Sequence, residues 1–140
     1  MSRKRRSRLQ GWARKFLETA RVVRLATVSR DGRPHVVPVC HAVEGDQVYI
    51  GTDRSGQKVR NIRATGRAAL VADHYVDSWK GLRGVSVSGR ADLFTRGPVF
   101  ERGVRALYRK YPHYPRVAAL EPGDSAIIRV KVERVMSWKY

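Results

Sequence analysis

The hydrophobic positions change period along this chain, and each change marks a new element. Leu9, Trp12, Ala13, Phe16, Leu17 and Ala20 recur every three or four residues, with Arg14, Lys15 and Glu18 on the opposite face. That spacing predicts an amphipathic helix laid on a core. Val22 to Ser29 then forms a β-rich run, and Arg30-Asp31-Gly32-Arg33 supplies a hairpin turn, because Asp and Gly tolerate positive φ. A second strand is expected from His35 to Val43. Pro38 within it marks an edge, a bulge or a strand start, since proline donates nothing to a ladder. Glu44-Gly45-Asp46 turns the chain into a third strand, Gln47 to Thr52, and these three strands read as an antiparallel meander. Arg54 to Ala64 reads as a short helix, and Ala68 to Tyr75 as a fourth strand. From Gly84 to Leu93, Val85, Val87, Gly89, Ala91 and Leu93 alternate with Ser86, Ser88, Arg90 and Asp92, as in a half-buried strand. Gly97-Pro98 opens a third helix that Pro112 and Pro115 end, and Ser125 to Ser137 is the last strand. Six strands joined mostly by hairpins, with three helices, predict a mainly β fold, a closed or nearly closed antiparallel barrel. A doubly wound parallel sheet would need crossover helices that are missing.

Composition narrows the class. A length of 140 residues fits one domain, and 42% hydrophobic residues suffice for a core. Residues 1–8 read as a basic disordered arm and residues 9–140 as a single barrel domain. No apolar run reaches the roughly 20 residues of a membrane-spanning helix, and the basic N-terminus lacks a signal peptide's apolar stretch. A soluble cytoplasmic protein is expected. Cys40 is the single cysteine, which excludes an internal disulfide and a multi-cysteine metal site; it sits in an apolar run and reads as a buried, inert thiol. The formal net charge is +17, and Arg3, Lys4, Arg5, Arg6, Arg8, Arg14 and Lys15 crowd into the first fifteen positions without an acid. This balance suits a solvated basic surface or a polyanionic partner.

No catalytic triad, acid–base carboxylate pair or metal-ligand spacing is legible, and His35, His41, His74 and His113 read as strand or loop residues. Chemistry, if present, would come from a bound cofactor. The informative segment is Gly51-Thr-Asp-Arg-Ser-Gly-Gln-Lys-Val-Arg-Asn-Ile62, in which a strand ends, a Ser-Gly loop follows and a helix begins with Lys58 in its first turn. Unpaired first-turn N–H groups and the positive end of the helix dipole suit a phosphate there. Val59 stands where a Walker A loop needs Ser or Thr, so it is not that motif. An ordinary basic surface helix would carry the same residues.

Arg24-Leu-Ala-Thr-Val-Ser29, Asp31-Gly-Arg-Pro-His-Val-Val-Pro-Val39, Tyr49-Ile-Gly-Thr52, Ser55-x-x-Lys58-x-x-Asn61 and Trp79-x-Gly-Leu-Arg-Gly-Val-x-Val-x-Gly-Arg-Ala91 follow one another over residues 10–138. In order and spacing they resemble the pyridoxamine-phosphate-oxidase-like split β-barrel superfamily, most of all its actinobacterial coenzyme F420-dependent enzymes. The resemblance implies a six-stranded split barrel working as a homodimer with cofactors at the interface. Lys58 would hold the cofactor phosphate, with Arg54, Ser55 and Gln57 close by and Thr52 and Asn61 in support. Val37, Pro38 and Val39 would line the ring edge, Thr27 and Ser29 would approach the ring or ribityl chain, and Trp79 and Arg83 would reach the neighbouring subunit's cofactor. The implied activity is hydride transfer from reduced coenzyme F420 to a small electrophilic substrate, with His41 or Tyr75 as candidate proton donors; the alternative is an FMN-dependent oxidoreductase or a flavin-binding protein of the same fold without turnover.

A basic β-barrel that binds nucleic acid is the rival from another class. The basic arm favours it. Trp79, Tyr75, Tyr49 and Phe94 form no regular ladder along the sequence, which counts against it. Polynucleotide binding would fall steeply with salt, whereas a stacked cofactor would lose less.

Overall fold

A computed structural model describes residues 2–140, over which eight strands and four helices form. In chain order they are β1 (Ser2–Arg6), α1 (Gly11–Thr19), β2 (Val23–Val28), β3 (Pro34–Val39), β4 (Ala42–Glu44), β5 (Gln47–Asp53), α2 (Gln57–Thr65), β6 (Arg67–His74), β7 (Arg83–Phe94), α3 (Pro98–Lys110), α4 (Tyr114–Val117) and β8 (Ser125–Lys139). All six expected strands are present, one of them divided in two, and β1 is added.

The sheet runs β3-β2-β6-β7-β8-β5-β4, with every neighbouring pair antiparallel. Its end strands, β3 and β4, are consecutive in sequence and separated only by Cys40 and His41. Laid flat at about 4.8 Å per strand, the two edges would stand roughly 29 Å apart. Three Cα–Cα steps span at most about 11 Å. The sheet must therefore curl until its edges meet, without the ladder closing between them, and the result is a split barrel. The expected single strand from His35 to Val43 breaks at this point, because β3 pairs with β2 whereas β4 pairs with β5. The three-strand meander is thereby corrected to two hairpins at opposite edges. Pro38 lies on an edge strand, where its missing N–H is harmless.

The barrel interior holds Val23, Leu25, Val48, Ile50, Leu70, Val85, Val87, Ile128 and Val130, with Leu17 of α1 and Ile62 of α2 packed against them. A second cluster, Tyr49, Phe100, Leu107, Leu120 and Ile127, lies where α3 covers the other face of β5 and β8. These two strands are buried on both faces, which is why Ala126-Ile127-Ile128 reads as an unbroken apolar run. Gly103 permits this close packing, since a Cβ there would stand 2.7 Å from the Ile127 side chain.

The basic arm is corrected. Ser2–Arg6 is an ordered strand in register with 135–139 of β8; residues 7–8 follow it as a bend, and Met1 lies outside the described residues. The cause is the length of β8. Over 15 residues it outruns β5, which pairs only with 125–131, and its far half would present unpaired backbone groups. β1 supplies them with partners despite the poor strand propensity of its cations. Asp46 anchors the following turn, accepting from the Leu9 N–H at 3.1 Å and from Arg8 Nε at 3.2 Å.

Candidate functional site

The turn between β5 and α2 carries the residues that the sequence pattern singles out. Gly56 is the N-cap of α2, so no side chain caps the helix, and its first turn contains no acidic residue. The first-turn amides, which have no intrahelical partner and form the positive end of the helix dipole, are thus left without a side-chain acceptor from the cap. Arg60 folds back, donating to the Ser55 carbonyl at 2.6 Å and to Gln57 Oε1 at 2.8 Å, which fixes the turn. Arg54 and Lys58 join no ion pair among the described residues. Gly66, at φ +66, ends the helix in the left-handed conformation that glycine adopts without strain.

On its inner face α2 is tied to β2 by a polar chain. Gln57 Nε2 donates to Asn61 Oδ1 at 2.7 Å, and Asn61 Nδ2 donates to Thr27 Oγ1 at 3.0 Å. Asn61 and Thr27 are buried, and Thr65 adds a hydrogen bond to the Val28 carbonyl. Beside this chain lies a cavity of about 330 Å³ lined by Ser29, Asp31, Arg33, His35, Gln57 and Asn61, with Pro34 at its rim. Ser29 donates to Asp31 and accepts from the Arg33 amide at 2.9 Å, so the hairpin tip is rigid. His35 Nδ1 is buried there without a hydrogen-bond partner. A second groove, about 420 Å³, meets the first at Pro34 and runs over Ala26, Val28, Ala69 and Ser88 to Arg67 and Arg134.

The fold brings Thr27, Ser29, Gln57 and Asn61 together and places Arg54, Ser55 and Lys58 on the adjoining turn. Val37 and Val39 stand opposite Leu25 and Val23 on the half-buried side of β3, while Pro38 is exposed opposite Arg24. Thr52 lies on β5 opposite Ala126. Trp79 and Arg83 are not brought to this cavity by their own chain. Arg83 pairs with His74, six residues along β6 from Ala68, which pairs with Thr27. That places it roughly 20 Å along the strand from Thr27. His35, Asp31 and Arg33 are cavity residues that the sequence motifs alone do not assign. A signal exists, because the Asp31-Gly32 turn sets the register that puts His35 opposite Thr27.

Neither candidate proton donor lines the cavity. His41 is completely buried in the link between the sheet edges, where its Nε2–H donates to the Leu17 carbonyl at 2.8 Å. Burial pushes its pKa down to about 4, against the raising effect of that bond and with help from Lys110 and Arg21, so the ring is neutral. Lys110 donates to the Ala20 carbonyl at 2.7 Å, and burial followed by the Arg21 charge lowers its pKa to about 8. Tyr111 bridges the same seam, accepting from the His41 amide and donating to the Arg21 carbonyl. Tyr75 is exposed at the far end of β6, its oxygen accepting from Trp138 Nε1 at 3.1 Å. Cys40 is corrected from buried to exposed, because it lies in the edge-to-edge link rather than inside a strand. No group of His, Cys, Asp and Glu able to hold a metal occurs among the described residues, and no helix there is long and apolar enough to cross a membrane.

Comparison with solved structures gives the same architecture. A conserved hypothetical protein of Mycobacterium tuberculosis superposes with a TM-score of 0.78 at 24% identity, over 95% of this chain and 87% of that one. A FAD-binding protein of Mesorhizobium loti gives 0.73 at 24% identity, over 98% and 97%. A heme binding protein of Mycobacterium smegmatis gives 0.75 at 19% identity, over 91% and 56%. No curated protein sequence matches the chain. The sequence pattern of the pyridoxamine 5'-phosphate oxidase family matches residues 9–139, the whole barrel from the start of the α1 region to the end of β8, and the chain belongs to that family.

Proposed function

We propose that the chain is an oxidoreductase that uses reduced coenzyme F420 to deliver a hydride to a small electrophilic substrate, with FMN as the alternative cofactor on the same site. The observation that carries this reading is the uncapped, acid-free start of α2, with Arg54, Ser55 and Lys58 around it, next to a cavity in which His35 Nδ1 is buried and unpartnered. An anion fits the first feature and a hydrogen-bonding group the second, so the residues suit a phosphorylated ligand with a polar ring or chain. Membership of the family supports a flavin-type ring.

When bound, the deazaflavin supplies the hydride from its ring. The protein's part is to bind and orient. Lys58, Arg54 and the first-turn amides of α2 would hold the phosphate. The Gln57–Asn61–Thr27 chain keeps α2 at a fixed height above β2, so that the phosphate anchor and the ring bed cannot drift apart. The unpaired cations favour a ligand carrying more negative charge than FMN, at roughly 0–1 kcal/mol for each exposed pair.

The proposal includes a second copy of the chain. Val36 is 64% exposed on the outer face of β3, in one row with Ala26, Ala69 and Ser88 across four strands. Small side chains there leave a flat surface on which a partner can seat and wall the cofactor groove.

Parallel fluorescence titrations with coenzyme F420 and FMN at two salt concentrations test the reading. Tight binding of F420 with weak FMN is expected, and Lys58→Ala should weaken it by more than tenfold with the fold intact. Tight binding of FMN alone would move the assignment to a flavin enzyme. Binding of neither, or an unchanged affinity in Lys58→Ala, would overturn the site.

A further inference from the structure

The end of the sheet remote from α2 gathers a second set of groups that lie outside the α2 cavity of their own chain. β1 exposes every residue, and none of Arg3, Lys4, Arg5 and Arg6 forms an ion pair among the described residues. Strand geometry divides them. Arg3 and Arg5 stand in register with Trp138 and Met136, while Lys4 and Arg6 stand with Ser137 and Val135, each pair about 6.8 Å apart along the strand.

Aromatic rings adjoin the start of this strand. Ser2 pairs with Lys139, and the next residue, Tyr140, is pinned by its amide to the Leu82 carbonyl at 2.9 Å. Its ring meets Trp79 edge-on with centroids 5.5 Å apart. Trp79 is 58% exposed, Tyr140 54% and Tyr75 57%. Trp79 also has φ +64, the one non-glycine residue with positive φ in the described chain, in a region that L side chains rarely occupy. A large ring held exposed in that conformation contributes little to the core. Trp79 and Tyr140 thus form an exposed pair, and the loop that carries Trp79 holds Lys80 against a single acid, Asp77, whereas Arg83 and Lys139 are held over Phe16 and Trp12 of α1.

We propose that β1 and the Trp79–Tyr140 pair form a binding surface for single-stranded nucleic acid. Arg3 and Arg5, in register with Trp138 and Met136, engage successive phosphates, and unpaired bases stack on the exposed rings. Charge alone would serve any polyanion; rings presented beside a row of cations add the feature that unpaired bases recognise. The surface acts within one chain, and Trp79 is the one ring it shares with the contact expected to a neighbouring subunit's cofactor; β1 takes no part in that site.

The test is an anisotropy titration of the full chain with a labelled oligothymidylate of about 12 nucleotides, with tryptophan fluorescence followed in parallel. Duplex DNA, polyglutamate and phosphatidylserine vesicles are the comparators. The oligonucleotide should bind more tightly than all three and quench the tryptophan signal. Alanine at Arg3 and Arg5 together should reduce the slope of log affinity against log salt by about 1.4, at about 0.7 for each phosphate no longer neutralised, and alanine at Lys4 and Arg6 should change it less. Lysine at these two arginines should restore the slope, which separates charge from a folding defect. Trp79→Gly suits the left-handed backbone and removes the ring; it should weaken binding roughly tenfold while leaving the slope unchanged. Equal binding of polyglutamate or vesicles, no quenching, or Trp79→Gly without effect would overturn the proposal.

Discussion

Asn61 illustrates how much one side chain settles. It sits on α2 with 2% exposure, receives a hydrogen bond from Gln57 and gives one to Thr27. Removing its amide leaves the Thr27 hydroxyl buried without that partner, which costs about 1–3 kcal/mol. Asn61→Ala is therefore expected to destabilise the chain by that amount in urea titrations, and to weaken cofactor binding less than Lys58→Ala does. His41 makes a different prediction. Its pKa is about 4 in the folded chain against an ordinary value of 6.5, so as pH falls the unfolded chain takes up the proton first. Stability from this group is complete above pH 6.5 and drains away toward pH 4. The gap corresponds to about 3 kcal/mol. Denaturation curves at about pH 4.5 and pH 7 should differ more for the native chain than for His41→Leu, and equal differences would remove His41 as the cause.

At the scale of elements, close approach decides which changes are tolerated. β7 and β8 shift register between Ser88 and Gly89, and a Cβ on Gly89 would fall 1.8 Å from the Lys131 carbonyl oxygen. Backbone cannot step aside, so Gly89→Ala should cost about 2 kcal/mol or more. At Gly84 the obstacle is the Trp138 ring at 2.3 Å, a partly exposed side chain that can swing, and Gly84→Ala should cost less. Thermal melts of the two variants compare them directly. β1 gives an element-level prediction of its own. Deleting residues 1–8 uncovers the 135–139 edge of β8 and removes the Arg8–Asp46 anchor, so the melting temperature should fall. Cofactor affinity should change little, because β1 does not line the α2 cavity.

At the scale of the whole molecule, the barrel is held shut by a seam rather than by a ladder. His41, Lys110 and Tyr111 join the edge-to-edge link to the carbonyls of Leu17, Ala20 and Arg21, so α1 and α3 clasp the split. The small-residue surface around Val36 lies on the outer face of β3, the edge strand that leads into this seam. If a second copy seats there, Val36→Arg should convert a dimer to a monomer by sedimentation velocity and weaken cofactor binding with it. A native chain that sediments as a monomer would remove the second copy from the proposal.

Local chemistry makes much of this legible before folding. Period-two alternation places β7, the Asp31-Gly32 turn places the β2–β3 hairpin, and the Ser55-Gly56-Gln57-Lys58 stretch places the helix start, because each depends on neighbours within a few residues. Long-range matters were decided only by tertiary structure. The break at Cys40 follows from two edges being drawn together, a demand no local window contains. β1 became a strand because β8 has an edge to fill, and its own cations argue against it. His35 entered the cavity through register with Thr27. Trp79 and Tyr140, sixty-one positions apart, met because β8 runs back to the loop that precedes β7. Sequence determined the elements that carry their own period and the acid-free turn before α2; pairing between distant strands added β1, parted β3 from β4 and determined which side chains share a surface.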